Sequence, residues 1–136
     1  MNNKRTIRWI FSLFLALVLF LGWRMVTLQA AEPLDGKTFV GELVRKGEKT
    51  GDKDNLIFKD GNFRSTACDP YSFGEGVYTT KSEGDTITFK TETATHKGDK
   101  IQWSGTVTGN KLEAIAIWIA VSKKPVEFRF QGELKK

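Results

Sequence analysis

The chain has 136 residues, 40% of them hydrophobic, with 21 Lys or Arg against 16 Asp or Glu, one Cys and one His. This length suits one domain, the single cysteine excludes an intramolecular disulfide framework, and the single histidine leaves little material for metal or acid-base chemistry. The formal net charge of +5 is misleading as a sign of polyanion binding. Four cationic residues, Lys4, Arg5, Arg8 and Arg24, and no acidic ones precede residue 32, so residues 32–136 carry 17 against 16, a net of +1. A nucleic-acid interface loses its main support, and none is expected.

Along the chain, Lys4, Arg5 and Arg8 form a basic flank, Trp9 to Trp23 is an uncharged apolar run, and the small residues Ala30 and Ala31 precede Glu32-Pro33. That order is the layout of a secretory signal peptide. The run is shorter than the roughly twenty apolar residues of a membrane span, although the same segment left uncleaved would act as an anchor, meeting a membrane only through residues 7–23. Residues 1–31 are therefore read as a signal peptide or anchor and 32–136 as a single exported domain. In either case the basic flank stays inside, and the domain is placed outside the cytoplasm: secreted, periplasmic or tethered to the inner membrane.

From residue 37 onward the hydrophobic period is two, and Gly-containing tips break it. The spacing predicts eight strands, over 37–45, 54–59, 62–68, 76–82, 86–94, 100–108, 111–121 and 126–135. Between them fall turn sequences such as Asp60-Gly61-Asn62, Glu83-Gly84-Asp85, Lys97-Gly98-Asp99 and Thr108-Gly109-Asn110, which signal hairpins. The first tip mixes Arg45, Lys46, Lys49 and Lys53 with Glu48, Asp52 and Asp54, and reads as a solvated loop. After the third strand, Cys68 to Gly76 interrupts the hairpins with Pro70, Tyr71, Phe73 and two glycines. This segment is expected to cross one barrel end, with Tyr71 and Phe73 as a lid. Cys68 itself is read as a small, partly buried residue at a strand end.

The last strand alternates cleanly, with Val126, Phe128, Phe130, Gly132 and Leu134 against Glu127, Arg129, Gln131 and Glu133. Residues 111–121 are apolar on both faces, with Ala114, Ala116 and Trp118 on one and Ile115, Ile117, Ile119 and Val121 on the other. Either a covered central strand or an outward apolar row that could form a homodimer follows from that pattern. Three segments repeat aromatic-x-Gly-x-aliphatic: Phe39-x-Gly41-x-Leu43, Trp103-x-Gly105-x-Val107 and Phe130-x-Gly132-x-Leu134. Residues two apart share a face, so each repeat sets a ring, a bare backbone position and an aliphatic side chain on one side, as a strongly curved sheet requires. The pattern predicts an all-β, eight-stranded antiparallel up-and-down barrel, with a two-sheet β-sandwich as the alternative. Pairing of the first and last strands would remove two exposed edges.

The Leu34-Asp35-Gly36-Lys37-Thr38-Phe39 start, the successive hairpins and the Trp-x-Gly strand resemble short bacterial lipocalin-like, calycin-type barrels. Trp103-Ser104-Gly105 and Trp118 are also similar to the penultimate strands of avidins, but no biotin binding is expected. The lipocalin resemblance implies an envelope carrier of a small apolar ligand, held among aromatic walls at an open barrel end. Candidate walls are Phe39, Phe63, Tyr78, Phe89, Trp103, Trp118 and Phe128. The opposing expectation is a barrel filled by those same rings, acting as a structural or interaction module. An enzyme is not expected, because His96 lies in a polar hairpin tip with no nucleophile and base beside it. No cofactor is expected, and Cys68, Asp69 and His96 do not have the spacing of a metal site.

Overall fold

The computed structural model describes residues 32–136; the predicted signal peptide or anchor at 1–31 lies outside the described residues. Eight strands follow in order: β1 (Thr38–Arg45), β2 (Asp52–Lys59), β3 (Asn62–Ser65), β4 (Gly76–Glu83), β5 (Thr86–Ala94), β6 (Lys100–Thr108), β7 (Lys111–Ile119) and β8 (Val126–Leu134). Each pairs antiparallel with the next, and β1 pairs with β8, so the sheet closes into an up-and-down barrel rather than a sandwich.

The repeated glycines explain the closure. Gly41 and Gly132, from the first and third repeats, lie directly opposite each other across the β1–β8 seam. A Cβ on Gly41 would overlap the Gln131 carbonyl oxygen and come within 2.6 Å of the Gly132 Cα, so only two bare backbones can approach this closely. Gly105, in the second repeat, serves packing instead: a Cβ there would run into the Phe89 ring and stand 2.8 Å from the Ala114 Cβ. Large and small side chains alternate across the ladder, Trp103 beside Ala116 beside Phe128, and Gly105 beside Ala114 beside Phe130. The alanines of β7 therefore face inward to make room for neighbouring rings, which settles which of its two apolar faces is the core.

Strand polarity gives the barrel two unlike ends. At one, Leu34 is fully buried beneath a turn formed by residues 33–36 and acts as a stopper. Asp35 ties that turn down, accepting hydrogen bonds from Gly61 N–H at 3.0 Å and from the Tyr78 hydroxyl at 2.5 Å. The Asp60-Gly61 hairpin is at this same closed end, with φ of 51° and 78°, the double positive pair of a tight two-residue turn. The opposite end carries the tips after β1, β5 and β7, together with the segment between β3 and β4.

That segment corrects one expectation. β3 stops at Ser65 rather than residue 68, and Thr66–Tyr71 turns into a 3-10 helix. Pro70 cannot extend a ladder, and Asp54 captures the start of the turn, as described below. Pairing between β3 and β4 is short in consequence, limited to Asn62 with Val77 and Phe63 with Gly76. Likewise β7 ends at Ile119, with Ala120 and Val121 already in the turn to β8.

Candidate functional site

The seven aromatic candidates all point into the barrel, but they divide by height. Phe39, Phe63, Tyr78 and Phe89 are buried and join Phe58 in a solid cluster. Phe58 is its hub, with ring centroids 6.1 Å from Phe39, 5.3 Å from Phe63, and 5.0 Å from both Tyr78 and Phe89, all near edge-to-face. Rings at such distances leave no lumen, so these four wall candidates are core.

Trp118 and Phe128 lie higher, and with Trp103, a buried ring whose other side packs on Phe63 at 5.0 Å, they surround a cavity of about 70 Å³ beneath the Cys68–Phe73 segment. Leu43, Ile101, Ala116 and, at the exposed rim, Asp52 complete the strand side of the chamber, and Ala67, Cys68, Tyr71 and Phe73 form its cover. Phe73 is buried and meets Trp118 edge to face at 5.6 Å, while Tyr71, 57% exposed, meets the same indole at 5.4 Å from the rim. The indole N–H of Trp118 donates to Asp99 Oδ2 at 3.3 Å, which fixes its ring on the tip after β5. The chamber is much smaller than the several hundred cubic ångströms typical of ligand pockets. It takes a head group of about three or four non-hydrogen atoms, since cavities of about 150 Å³ take up benzene.

Sequence reasoning missed the residue that builds the cover. Asp54 was grouped with the solvated charges of the first tip, yet it is 1% exposed and faces the lumen on the same side of β2 as Leu56 and Phe58. The signal was available: residues 54, 56 and 58 share one face of a strand. Its Oδ2 accepts from Ser65 Oγ at 2.7 Å, and its Oδ1 from Ala67 N–H at 3.0 Å and Thr66 Oγ1 at 3.3 Å. Thr66 Oγ1 in turn accepts from Asn55 N–H at 3.0 Å. One carboxylate thus bends the chain out of β3 and over the barrel mouth. Outside, Arg64 grips Asp69 through a bidentate contact, Nε donating to Oδ1 at 3.1 Å and Nη2 to Oδ2 at 2.7 Å, which holds the same turn from its solvent side.

Cys68 is buried in the 3-10 helix, not at a strand end, with its sulfur 3.3 Å from Ser65 Oγ. Burial pushes its thiol up to about 11, against the smaller lowering effect of the Ser65 contact and with a further rise from the Asp54 charge. At neutral pH it is a protonated lining group, not a nucleophile. Asp69 is turned outward to Arg64, and His96 is exposed on the tip after β5, so the structure does not bring Cys68, Asp69 and His96 together. Among the described residues no group of three metal-binding side chains forms.

Two buried polar atoms near the chamber lack hydrogen-bond partners, Thr93 Oγ1 and Trp103 Nε1. They lie on adjoining strands, Trp103 opposite Thr91 and Thr93 opposite Ile101. The Ile115, Ile117 and Ile119 row faces outward, with Ile115 38% exposed and the other two half-buried beside Gln102, Lys100 and Glu127 of the flanking strands.

Comparison with known proteins found no matching family model, no similar curated protein and no similar solved structure.

Proposed function

We propose that this protein is an exported, lipocalin-like barrel that receives a small, mainly apolar head group at its open end, beneath the Cys68–Phe73 cover. The apolar chamber among Trp103, Trp118 and Phe128 carries this reading, because the closed half of the same barrel is packed solid. A sequence able to fill one half with rings leaves space in the other where Ala116 stands between Trp103 and Phe128 in the ladder. Burying apolar ligand surface there would contribute roughly 25 cal/mol per Å². Export to the envelope rests on the basic, apolar and small-residue order of residues 1–31.

The test is to fill the chamber. Ala116→Leu adds about three carbon atoms at a lining position, comparable to the vacant volume. Native mass spectrometry of the full chain from its host should show a small bound mass that this variant lacks while keeping its fold. A wild-type protein with no bound mass, and no amide shifts with small apolar probes by NMR, would contradict the reading.

A second reading rests on the outward row of Ile115, Ile117 and Ile119, of which Ile115 is 38% exposed. That row suits self-association. Sedimentation of wild type against Ile115→Lys distinguishes a dimer built on the row from a monomer.

A further inference from the structure

The geometry points to a methylated ammonium group as the head that the open-end chamber takes, an inference that rests on the small-ligand reading above. Five aromatic side chains line this space, Trp103, Trp118, Phe128, Tyr71 and Phe73, and no Lys, Arg or His does. The faces of such rings carry negative electrostatic potential, and cages of them attract cations that have shed their water. The charged groups at the chamber wall have the matching sign, while Lys46, Lys49, Lys97, Lys123 and Lys124 on the surrounding tips are exposed and outside the lining. Asp52 is itself in the lining. Asp54 lies one layer behind it, bonded to Ala67 N–H and, through Ser65, to Cys68, both lining residues. Among the described residues no cationic side chain forms an ion pair with Asp54. Arg45 shares the lumen face of β1 but is exposed at the strand end and outside the lining.

These features separate the possible head groups by charge and by hydrogen bonding. An anion would meet the Asp52 carboxylate in the lining, the buried Asp54 behind it and five aromatic rings, with no cationic side chain in the lining to offset them. A primary ammonium would have to surrender strongly held water, and among the lining side chains only the Asp52 carboxylate returns charged acceptors, too few for three N–H groups buried among rings. A trimethylammonium group carries the charge with no N–H to satisfy, presents methyl surface to the rings, and has four non-hydrogen atoms, which fits a chamber of about 70 Å³. The remainder of such a molecule would extend past Tyr71 into solvent.

The discriminating pair of probes is choline and 3,3-dimethylbutan-1-ol, equal in shape with carbon replacing the charged nitrogen. Titrated into the full chain and followed by tryptophan fluorescence and NMR shifts, choline is expected to bind at least tenfold more tightly than the alcohol. Trp118→Leu should weaken choline at least tenfold, and Asp52→Asn about threefold, with unchanged circular dichroism in both. If the alcohol binds as well as choline, the cation inference is overturned while the small-ligand reading stands. If neither probe binds, both readings fall. Choline binding that Trp118→Leu leaves unaltered would place it elsewhere on the surface and also overturn the inference.

Discussion

The two halves of this barrel solve the same packing problem to different depths. In the closed half, Phe58 touches four other aromatic rings, Leu34 seals the end, and the one buried phenol, Tyr78, has its hydroxyl on Asp35. In the open half the rings stand around a vacancy, and Trp103 Nε1 and Thr93 Oγ1 are left without partners. Polar satisfaction and dense packing are normally achieved together, and the open half falls short of both. The closed half carries the denser packing, and the open half holds a space that the proposed ligand would fill.

The largest effect should come from the seam on which both halves depend. Gly41→Val puts a branched side chain against the Gln131 carbonyl and the Gly132 Cα, with no room to either side. β1 and β8 would then separate, and the variant should show no cooperative thermal transition by circular dichroism. A transition at the wild-type midpoint would mean that the seam is looser than the register implies.

Next in size is the contrast between the halves. Phe58→Ala removes the hub of the solid cluster and should cost about 3–5 kcal/mol. Phe128→Ala, at a half-buried ring already beside a vacancy, should cost less than about 2 kcal/mol, because fewer contacts are lost. Urea denaturation of both variants measures the difference. Equal costs would remove the distinction between core and chamber.

The periodicity made most of the barrel legible. Strands at 86–94 and 100–108 match the sequence reading residue for residue, because clean alternation between Gly-bearing tips leaves little freedom of register. The closure was legible too, since a glycine recurring between a ring and an aliphatic residue is costly unless the backbone needs it. Height within the barrel was not. Parity places Phe63 and Phe128 equally inside, and only the three-dimensional arrangement of Phe58, Ala116 and Leu34 decides which ring is packed all round and which borders the vacancy. Asp54 was misread for a related reason: its charge argued for solvent, whereas its parity with Leu56 and Phe58 argued for the interior, and local hydrogen bonds to Ser65, Thr66 and Ala67 allowed parity to win.

Asp54→Ala sharpens the comparison from the other side. It leaves the Ala67 N–H and the Ser65 hydroxyl without their acceptor, and should cost about 3 kcal/mol. The loss should be local in character: amide exchange should accelerate over residues 65–73 while amides beside Phe58 and Phe89 retain most of their protection. Uniform acceleration across the barrel would show instead that the cover and the core unfold as one unit.

The smallest expected effect is a titration. Cys68, usually near 9, is raised to about 11 in the folded protein, chiefly by burial. Below pH 9 the thiol is protonated whether the chain is folded or not, and its full contribution to stability is present. Between pH 9 and 11 the unfolded chain releases this proton while the folded one keeps it, so stability falls with rising pH, by about 2 kcal/mol, and levels off above 11. Tyr78 is also raised, by burial and then by its bond to Asp35, so it adds a loss of the same sign that begins above its usual value near 10. Cys68→Ala separates the two: its urea midpoint should be nearly flat from pH 8.5 to 10 where wild type declines, and both proteins should share the later loss. The thiol should also resist disulfide reagents at pH 8 in the wild type and react readily in Asp54→Ala, because only the open half must yield to expose it. Identical pH slopes with and without Cys68 would mean that the cover stands open in solution, and the contrast between a sealed half and a guarded one would disappear.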